Sequence, residues 1–244
     1  MSSNATSKRA ADAPSDAPAA PAAPAAPCVA PGGARAWNRE RVAAQFSVSR
    51  ETLARLDRYV ELLIAWQRRF NLIGHSTEAD IWGRHIADSL QLAALAPADA
   101  RIWLDLGTGA GLPGLVLAIA EAGRPGRHAH LVDGNARKCA FLTTAAAATG
   151  AAVTVHHARI EALAGEPDRP RADLITARAL APLVRLMALA RPFMWKRTVL
   201  LLPKGQDVET ELTAAAISST FRVERRPSLV DPAATILRIE EAQQ

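Results

Sequence analysis

The stretch Asp105-Leu106-Gly107-Thr108-Gly109-Ala110-Gly111-Leu112-Pro113-Gly114 organises the whole chain. It follows the apolar run Arg101-Ile102-Trp103-Leu104 and precedes Leu115-Val116-Leu117-Ala118-Ile119-Ala120, so it reads as strand, glycine turn and helix. Four glycines in eight residues permit positive φ and let a ligand lie directly on main-chain N–H groups. Pro113 suits the first helical position, where its missing donor is not needed. The helix start then offers free N–H groups to an anionic or polar ligand. A tight turn without a ligand shares these features but rarely needs so many glycines, and the stretch reads as a nucleotide-type binding loop.

Downstream, strand and helix keep alternating. Helix 113–122 leads to strand 128–132, which stops at Asp133, and a helix follows from Asn135 to Thr149. Next come strand 151–156, a turn and short helix at 158–163, a charge-rich loop at 165–171, strand 172–176 and helix 180–194. The apolar run 197–203 is typical of a strand buried on both faces and ends at Lys204-Gly205. A helix near 206–217 and strands near 221–226 and 234–239 complete the sheet. Gly111, Asp133, Glu161, Arg178 and Lys204 thus fall at strand ends or just beyond. In an open parallel α/β sheet those ends share one edge, where ligands bind. Asp133 is placed to accept hydrogen bonds from ribose hydroxyls; an N-terminal charge for the helix behind it is the structural alternative.

Upstream, Leu53, Leu56, Val60, Leu63 and Phe70, with Trp66 beside them, recur at helical spacing opposite Arg55, Arg58, Glu61, Arg68 and Arg69. This amphipathic helix ends near Asn71-Leu72-Ile73-Gly74. Thr77-Glu78-Ala79-Asp80 has the form of a capping box for a second helix, which carries Trp82-Gly83-Arg84-His85-Ile86-Ala87-Asp88-Ser89-Leu90. His85 or Arg84 can meet Asp88 there, three and four residues apart, and a simple structural pair joining two elements is the plainer reading. Residues 1–36, rich in Ala, Pro and Ser, cannot offset chain entropy by burial and read as a disordered tail. The organisation expected is tail 1–36, helical segment 37–97 packed on the catalytic domain, and α/β domain 98–244.

With 244 residues and 49% apolar content the chain can bury a sizeable core. It has no secretory h-region and no apolar run long enough for a bilayer, which points to a soluble, cytoplasmic protein without membrane partners. Cys28 and Cys139 give neither a disulfide framework nor a metal-ligand spacing, so no metal is expected. The net charge is +5, yet residues 169–204 hold eight basic residues against Asp173 alone. Such concentration suggests a phosphate-facing surface, although a solvated basic face has the same composition.

The glycines fit two registers. Gly109-Ala110-Gly111-Leu112-Pro113-Gly114 matches the dinucleotide G-x-G-x-x-G pattern, with Asp133 as ribose partner. Asp105-Leu106-Gly107-Thr108-Gly109-Ala110-Gly111 resembles the first motif of S-adenosylmethionine-dependent methyltransferases. That second register gives Gly107 and Gly109 a role and explains Asp105 as a strand-end acid near the ligand's amino-acid part.

Asn71-Leu72-Ile73, the Trp82–Leu90 block, the glycine motif, Asp133 with Arg137-Lys138 and Phe141-Leu142, Arg178-Ala179-Leu180-Ala181-Pro182-Leu183 and Lys204-Gly205 together resemble one family. It is the bacterial 16S ribosomal RNA guanine-N7 methyltransferases, once called glucose-inhibited division protein B. The resemblance runs from about residue 40 to the C-terminus. It implies a class I methyltransferase fold, Rossmann-like α/β on a seven-stranded, mostly parallel sheet, with an N-terminal helical extension. It also implies S-adenosyl-L-methionine as cofactor, and as target a guanine in the decoding-region loop of 16S rRNA, free or in the small ribosomal subunit, with the enzyme a monomer. The implied cofactor site takes in Gly107, Gly109, Gly111, Leu112, Asp133, Ile160, Glu161 and Arg178. Gly134 stands where the family usually has Ser.

Guanine N7 carries a lone pair and no proton, so its methylation requires positioning and tolerance of positive charge, and no general base is expected. No Asn-Pro-Pro-Tyr motif for adenine amines is present, Pro27-Cys28 lies in the tail, and Cys139 reads as a small apolar helix residue. For RNA contact the 169–204 segment comes first, then Arg84, His85, Lys138 and Lys204. For His85 a packed histidine partnered by Asp88 stands as an alternative. The rivals are an NAD(P)-dependent Rossmann oxidoreductase, a methyltransferase of the same fold acting on another RNA, and a non-catalytic RNA-binding module.

Overall fold

The computed structural model describes Met1, residues 36–217 and residues 220–242. The Ala/Pro-rich tail falls outside these. Two helices open the described chain, α1 (Arg39–Gln45), capped by Asn38, and α2 (Arg50–Gln67), capped by Ser49. A 3₁₀ segment, His75–Asp80, and a π-helical turn, Trp82–Ala87, lead into α3 (Asp88–Leu90). Then follow β1 (Ile102–Leu106), α4 (Gly114–Ala120), β2 (His128–Asp133), α5 (Ala136–Thr149), β3 (Val153–His157) and α6 (Ile160–Ala164). The chain closes with β4 (Leu174–Thr176), α7 (Leu183–Ala190), β5 (Val199–Lys204), α8 (Val208–Ala215), β6 (Phe221–Pro227) and β7 (Thr235–Glu241).

The seven strands form one sheet in the order β3-β2-β1-β4-β5-β7-β6. The first five pair in parallel, and β7 runs antiparallel to both β5 and β6. Because central strands are apolar on both faces, helices must cover both. Trp103, Leu131, Leu174, Val199 and Leu201 point into a core shared with α2, α4 and α5, whereas Leu104, Leu106, Val132, Ile175, Leu200 and Leu202 point into a second core with α6 and α7. The first core also holds Val42, Leu56, Tyr59 and Leu63, so the helical segment 37–97 buries its apolar face against the sheet domain.

Two local expectations fail. Thr77 does not open a capping box, because its hydroxyl donates to the Gly74 carbonyl, and Glu78 instead accepts from Gln67 and His75. The cap is Asp80, whose Oδ1 receives the Gly83 N–H, and Gly83 is suited to that approach because a Cβ there would lie 2.4 Å from Asp80 Oδ1. Helix α4 starts at Gly114, one residue later than expected, with Pro113 as its cap.

Candidate active site

Alternation along β1 turns Asp105 toward α4, where it is 2% exposed. Its carboxylate accepts from the Thr108 hydroxyl, the Thr176 hydroxyl (2.7 Å) and the Gly114 N–H (2.9 Å). Burial raises the carboxyl above its ordinary range, and these three bonds pull the other way. Asp105 thus buckles β1, its following loop, β4 and the start of α4 together. Gly114 makes this possible, since a Cβ there would sit 2.5 Å from Asp105 Cβ.

Above the buckle, Gly107, Gly109 and Gly111 all have positive φ, at 64°, 59° and 87°. The Gly109 N–H donates to Asp133 Oδ2 (3.0 Å), while Asp133 Oδ1 receives the Asn135 N–H (2.8 Å). Asn135 in turn caps α5 through the N–H groups of Arg137 and Lys138. One oxygen of Asp133 therefore holds the loop and the other holds the turn into α5. From the other side Tyr59, fully buried in α2, donates to the Ala110 carbonyl at 2.7 Å.

At the end of β4 the Arg178 guanidinium gathers three partners from the helical segment. It donates to Asp88 Oδ2 (3.0 Å), to the Arg84 carbonyl (2.8 Å) and to His85 Nδ1 (3.1 Å). An arginine only donates, so Nδ1 carries the lone pair and Nε2 the hydrogen, which goes to Thr77 Oγ1 at 2.8 Å. His85 is 5% exposed; burial, then Arg178 and Arg84, push its pKa down to about 4. It is a neutral hinge pin. Beside it lies a cavity of about 610 Å³ lined by His85, Asp88, Arg178, Leu180, Lys204 and Asp231 among others.

The model of the family described as rRNA small subunit methyltransferase G matches residues 52–234. The ribosomal RNA small subunit methyltransferase G of Methylorubrum populi is 52% identical over 201 residues, covering 82% of this chain and 94% of that one.

The chain belongs to the rRNA small subunit methyltransferase G family.

Among solved structures, the ribosomal protein L11 methylase of Lactobacillus delbrueckii subsp. bulgaricus superposes with a TM-score of 0.53 at 16% identity, over 70% of this chain and 81% of that one. The glycopeptide N-methyltransferase MtfA, solved with S-adenosyl-L-methionine, does so with a TM-score of 0.52 at 10% identity, over 66% and 96%. The fold of this methyltransferase is the class I α/β fold that its sequence implies.

Within this methyltransferase the expected site residues divide. Gly107, Gly109, Asp133 and Glu161 reach the strand-end edge with some exposure, and Ile160 lies at the start of α6 with its side chain in the second core. Gly111 and Leu112 are buried, and a Cβ on Gly111 would meet Leu115 and Leu142, so both shape the turn from within. Asp105, read from sequence as lying near the ligand, is the buried buckle. Asp88 pairs with Arg178, not with Arg84 or His85, because the π turn carries its N–H to Gly83 five residues back and breaks the three- and four-residue register. Arg84 pairs with Asp231 at 2.8 Å instead.

The basic segment 169–204 is not one surface. Successive strands and helices send Arg169, Arg171, Lys196 and Arg197 to the opposite sheet edge from Arg178 and Lys204. Carboxylates from elsewhere then meet five of the eight: Asp88 for Arg178, Glu161 for Arg185, Glu241 for Arg191, Asp99 for Arg197 and Glu211 for Lys204. Lys204, 10% exposed at its side chain, also donates to the Ala181 carbonyl and so fastens the 178–182 loop. Lys138 lies at the glycine loop, its Nζ 4.0 Å from where a Gly109 Cβ would stand. Cys139 is buried and donates to the Asp133 carbonyl.

Sequence reading missed Tyr59, Gln67, Thr176 and Leu180. Gln67 binds the N–H groups of Leu72 and Ile73 and the Ile73 carbonyl, which orders the Asn71-Leu72-Ile73 block. Leu180 covers Gly107, where a Cβ would lie 2.5 Å from its Cδ1, and Ala179 takes φ 51° to bring it there. The one tyrosine of the chain, placed on the apolar stripe of α2, was the available signal for a buried hydroxyl with a partner.

Proposed function

We propose that this methyltransferase moves the methyl group of S-adenosyl-L-methionine to N7 of a guanine in the decoding-region loop of 16S rRNA, guanine 527 in the conventional numbering of that RNA. It acts as a cytoplasmic monomer. The observation that carries the reading is the state of the ionisable groups lining the cavity. His85 is bonded at both nitrogens, Asp88 to Arg178, Asp231 to Arg84 and Glu211 to Lys204. A site whose acids and histidine are already engaged suits a nucleophile that has no proton to lose, and guanine N7 is one.

The strand-end edge fits the cofactor. The positive-φ turn at Gly107 and Gly109 presents main chain closely, with nothing nearer than 4.0 Å to a Cβ at Gly109. Asp133 oxygens each take one backbone N–H and retain a lone pair for a ribose hydroxyl. Ile160 and Glu161 stand one strand further along for the adenine. When bound at Gly107, Gly109 and Asp133, S-adenosylmethionine would supply an electrophilic methyl on a sulfonium. This chain's residues orient and enclose: Leu180 and Ala179 form the wall between glycine loop and cavity, and Arg178 holds the helical segment against it. The complex of MtfA, a protein of the same fold, with S-adenosyl-L-methionine supports this cofactor over NAD(P)H.

The test is incubation with methyl-labelled S-adenosylmethionine and under-methylated small subunits, then mapping of 7-methylguanine by strand cleavage at the modified base. Label at N7 of a single guanine in the decoding-region loop is expected. Label on another base atom, or none, overturns the reading.

A further inference from the structure

Trp66 lies in the last turn of α2, and the turn that follows the helix, closed by the Phe70 N–H to Trp66 carbonyl bond at 2.9 Å, brings Phe70 beside it. Their ring centroids are 5.6 Å apart with planes inclined at 46°, and Phe141 braces Trp66 edge-on at 5.7 Å. Across from them, the Arg137 guanidinium of α5 lies 5.5 Å from the Phe70 ring centroid. Trp66, Phe70 and Arg137, with Arg69 and the small residues Ala65 and Ala140, line a cavity of about 560 Å³. A nucleobase fits such a volume.

The charge here differs from that of the 169–204 segment. Most of that segment's cations are met by carboxylates, whereas Arg69 and Arg137, which line this cleft, have no carboxylate partner among the described residues. Aromatic faces beside uncompensated arginines form the standard platform for single-stranded nucleic acid, where bases stack and guanidinium groups meet phosphates. The platform is also tied to the strand-end edge. Arg137 is one residue from Lys138, which reaches the glycine loop, and α2 bonds that loop through Tyr59.

We infer that the cleft between α2 and α5 docks an unpaired nucleotide of the RNA substrate away from the target base, stacked on Trp66 and Phe70 and held at its phosphate by Arg69 and Arg137. The inference rests on the RNA-methyltransferase reading above. It gives the enzyme a second point of purchase on a looped strand, fixing which base reaches the cavity.

The experiment photo-crosslinks full-length protein to small-subunit RNA transcripts carrying 4-thiouridine and maps the attached peptides. Crosslinks within the peptide spanning Trp66 to Phe70, or at Arg137, are expected; crosslinks confined to other surfaces overturn the inference. In parallel, Phe70→Leu and Arg69→Glu are assayed with labelled S-adenosylmethionine. Stacking on one aromatic predicts a rise in RNA KM of roughly fivefold or more for Phe70→Leu, with kcat and cofactor affinity unchanged and recovery in Phe70→Trp. Arg69→Glu should also flatten the slope of log affinity against log salt by about 0.7 for each phosphate that is no longer neutralised. Folded variants with unaltered RNA KM and salt slope refute the docking site. Failure of wild-type enzyme to label RNA instead refutes the substrate reading, and the crosslink map still decides the cleft.

Discussion

Acid should loosen the site through His85. Folded, its pKa is about 4 against 6.5 for a free histidine, because it is buried beside Arg178 and Arg84. Between these two values the unfolded chain binds a proton that the folded chain refuses, so stability is complete above 6.5 and falls as pH drops toward 4. At about 1.4 kcal/mol per unit, acidification to pH 5 costs about 2 kcal/mol from this residue alone. The protonated ring has no lone pair at Nδ1 for Arg178, so the same event releases the link between β4 and the Trp82–Asp88 segment. His85→Gln keeps one acceptor and one donor in the niche but does not titrate. The assay is urea unfolding followed by circular dichroism at pH 7 and pH 5 for wild type and His85→Gln. His130, also depressed to about 4 by burial and by His156 and His128, titrates in both proteins and cancels in the difference. Wild type should lose about 2 kcal/mol more than the variant over this interval. Equal losses would refute the assignment of His85 as a neutral, buried link.

Other perturbations separate the buckle, the loop and the surface. Asp105→Ala strands the Thr108 and Thr176 hydroxyls and the Gly114 N–H, and should lower stability by on the order of 3 kcal/mol while abolishing cofactor binding; melting and calorimetry check both. Gly107→Asp places a carboxylate at a position with φ 64° and against Leu180, so calorimetry should find no S-adenosylmethionine binding in a protein with a native circular dichroism spectrum. Lys204→Met breaks an internal pair with Glu211 and should cost about 1.5–3 kcal/mol in denaturant. Because that lysine is engaged within the fold, the salt slope of RNA binding should not change, and a shallower slope would return Lys204 to the RNA surface.

Local sequence determined the elements and their order. Glycine spacing, strand-end acids and two-faced apolar runs follow from chain geometry that operates over a few residues, which is why the turn after Asp105, the Asp133 strand end and the buried strand before Lys204 stand where the residues implied. Family motifs extended that legibility to the helical segment. What the residues could not declare was partnership across distance. Asp105 and Asp133 are both strand-end acids in sequence and share one face of the sheet, yet Asp105 sits level with Leu131 and is buried there, whereas Asp133, two residues beyond Leu131, clears the sheet at its edge. Arg178 meets Asp88 across 90 positions, and Arg197 meets Asp99 across 98, so a run of charge that looks like one surface is dispersed, and most of it paired, once the chain is wound. Arg69 and Arg137, which meet no carboxylate among the described residues, come together at the junction of α2 and α5, a juxtaposition that exists only after packing, because charge is counted along a chain but neutralised through space.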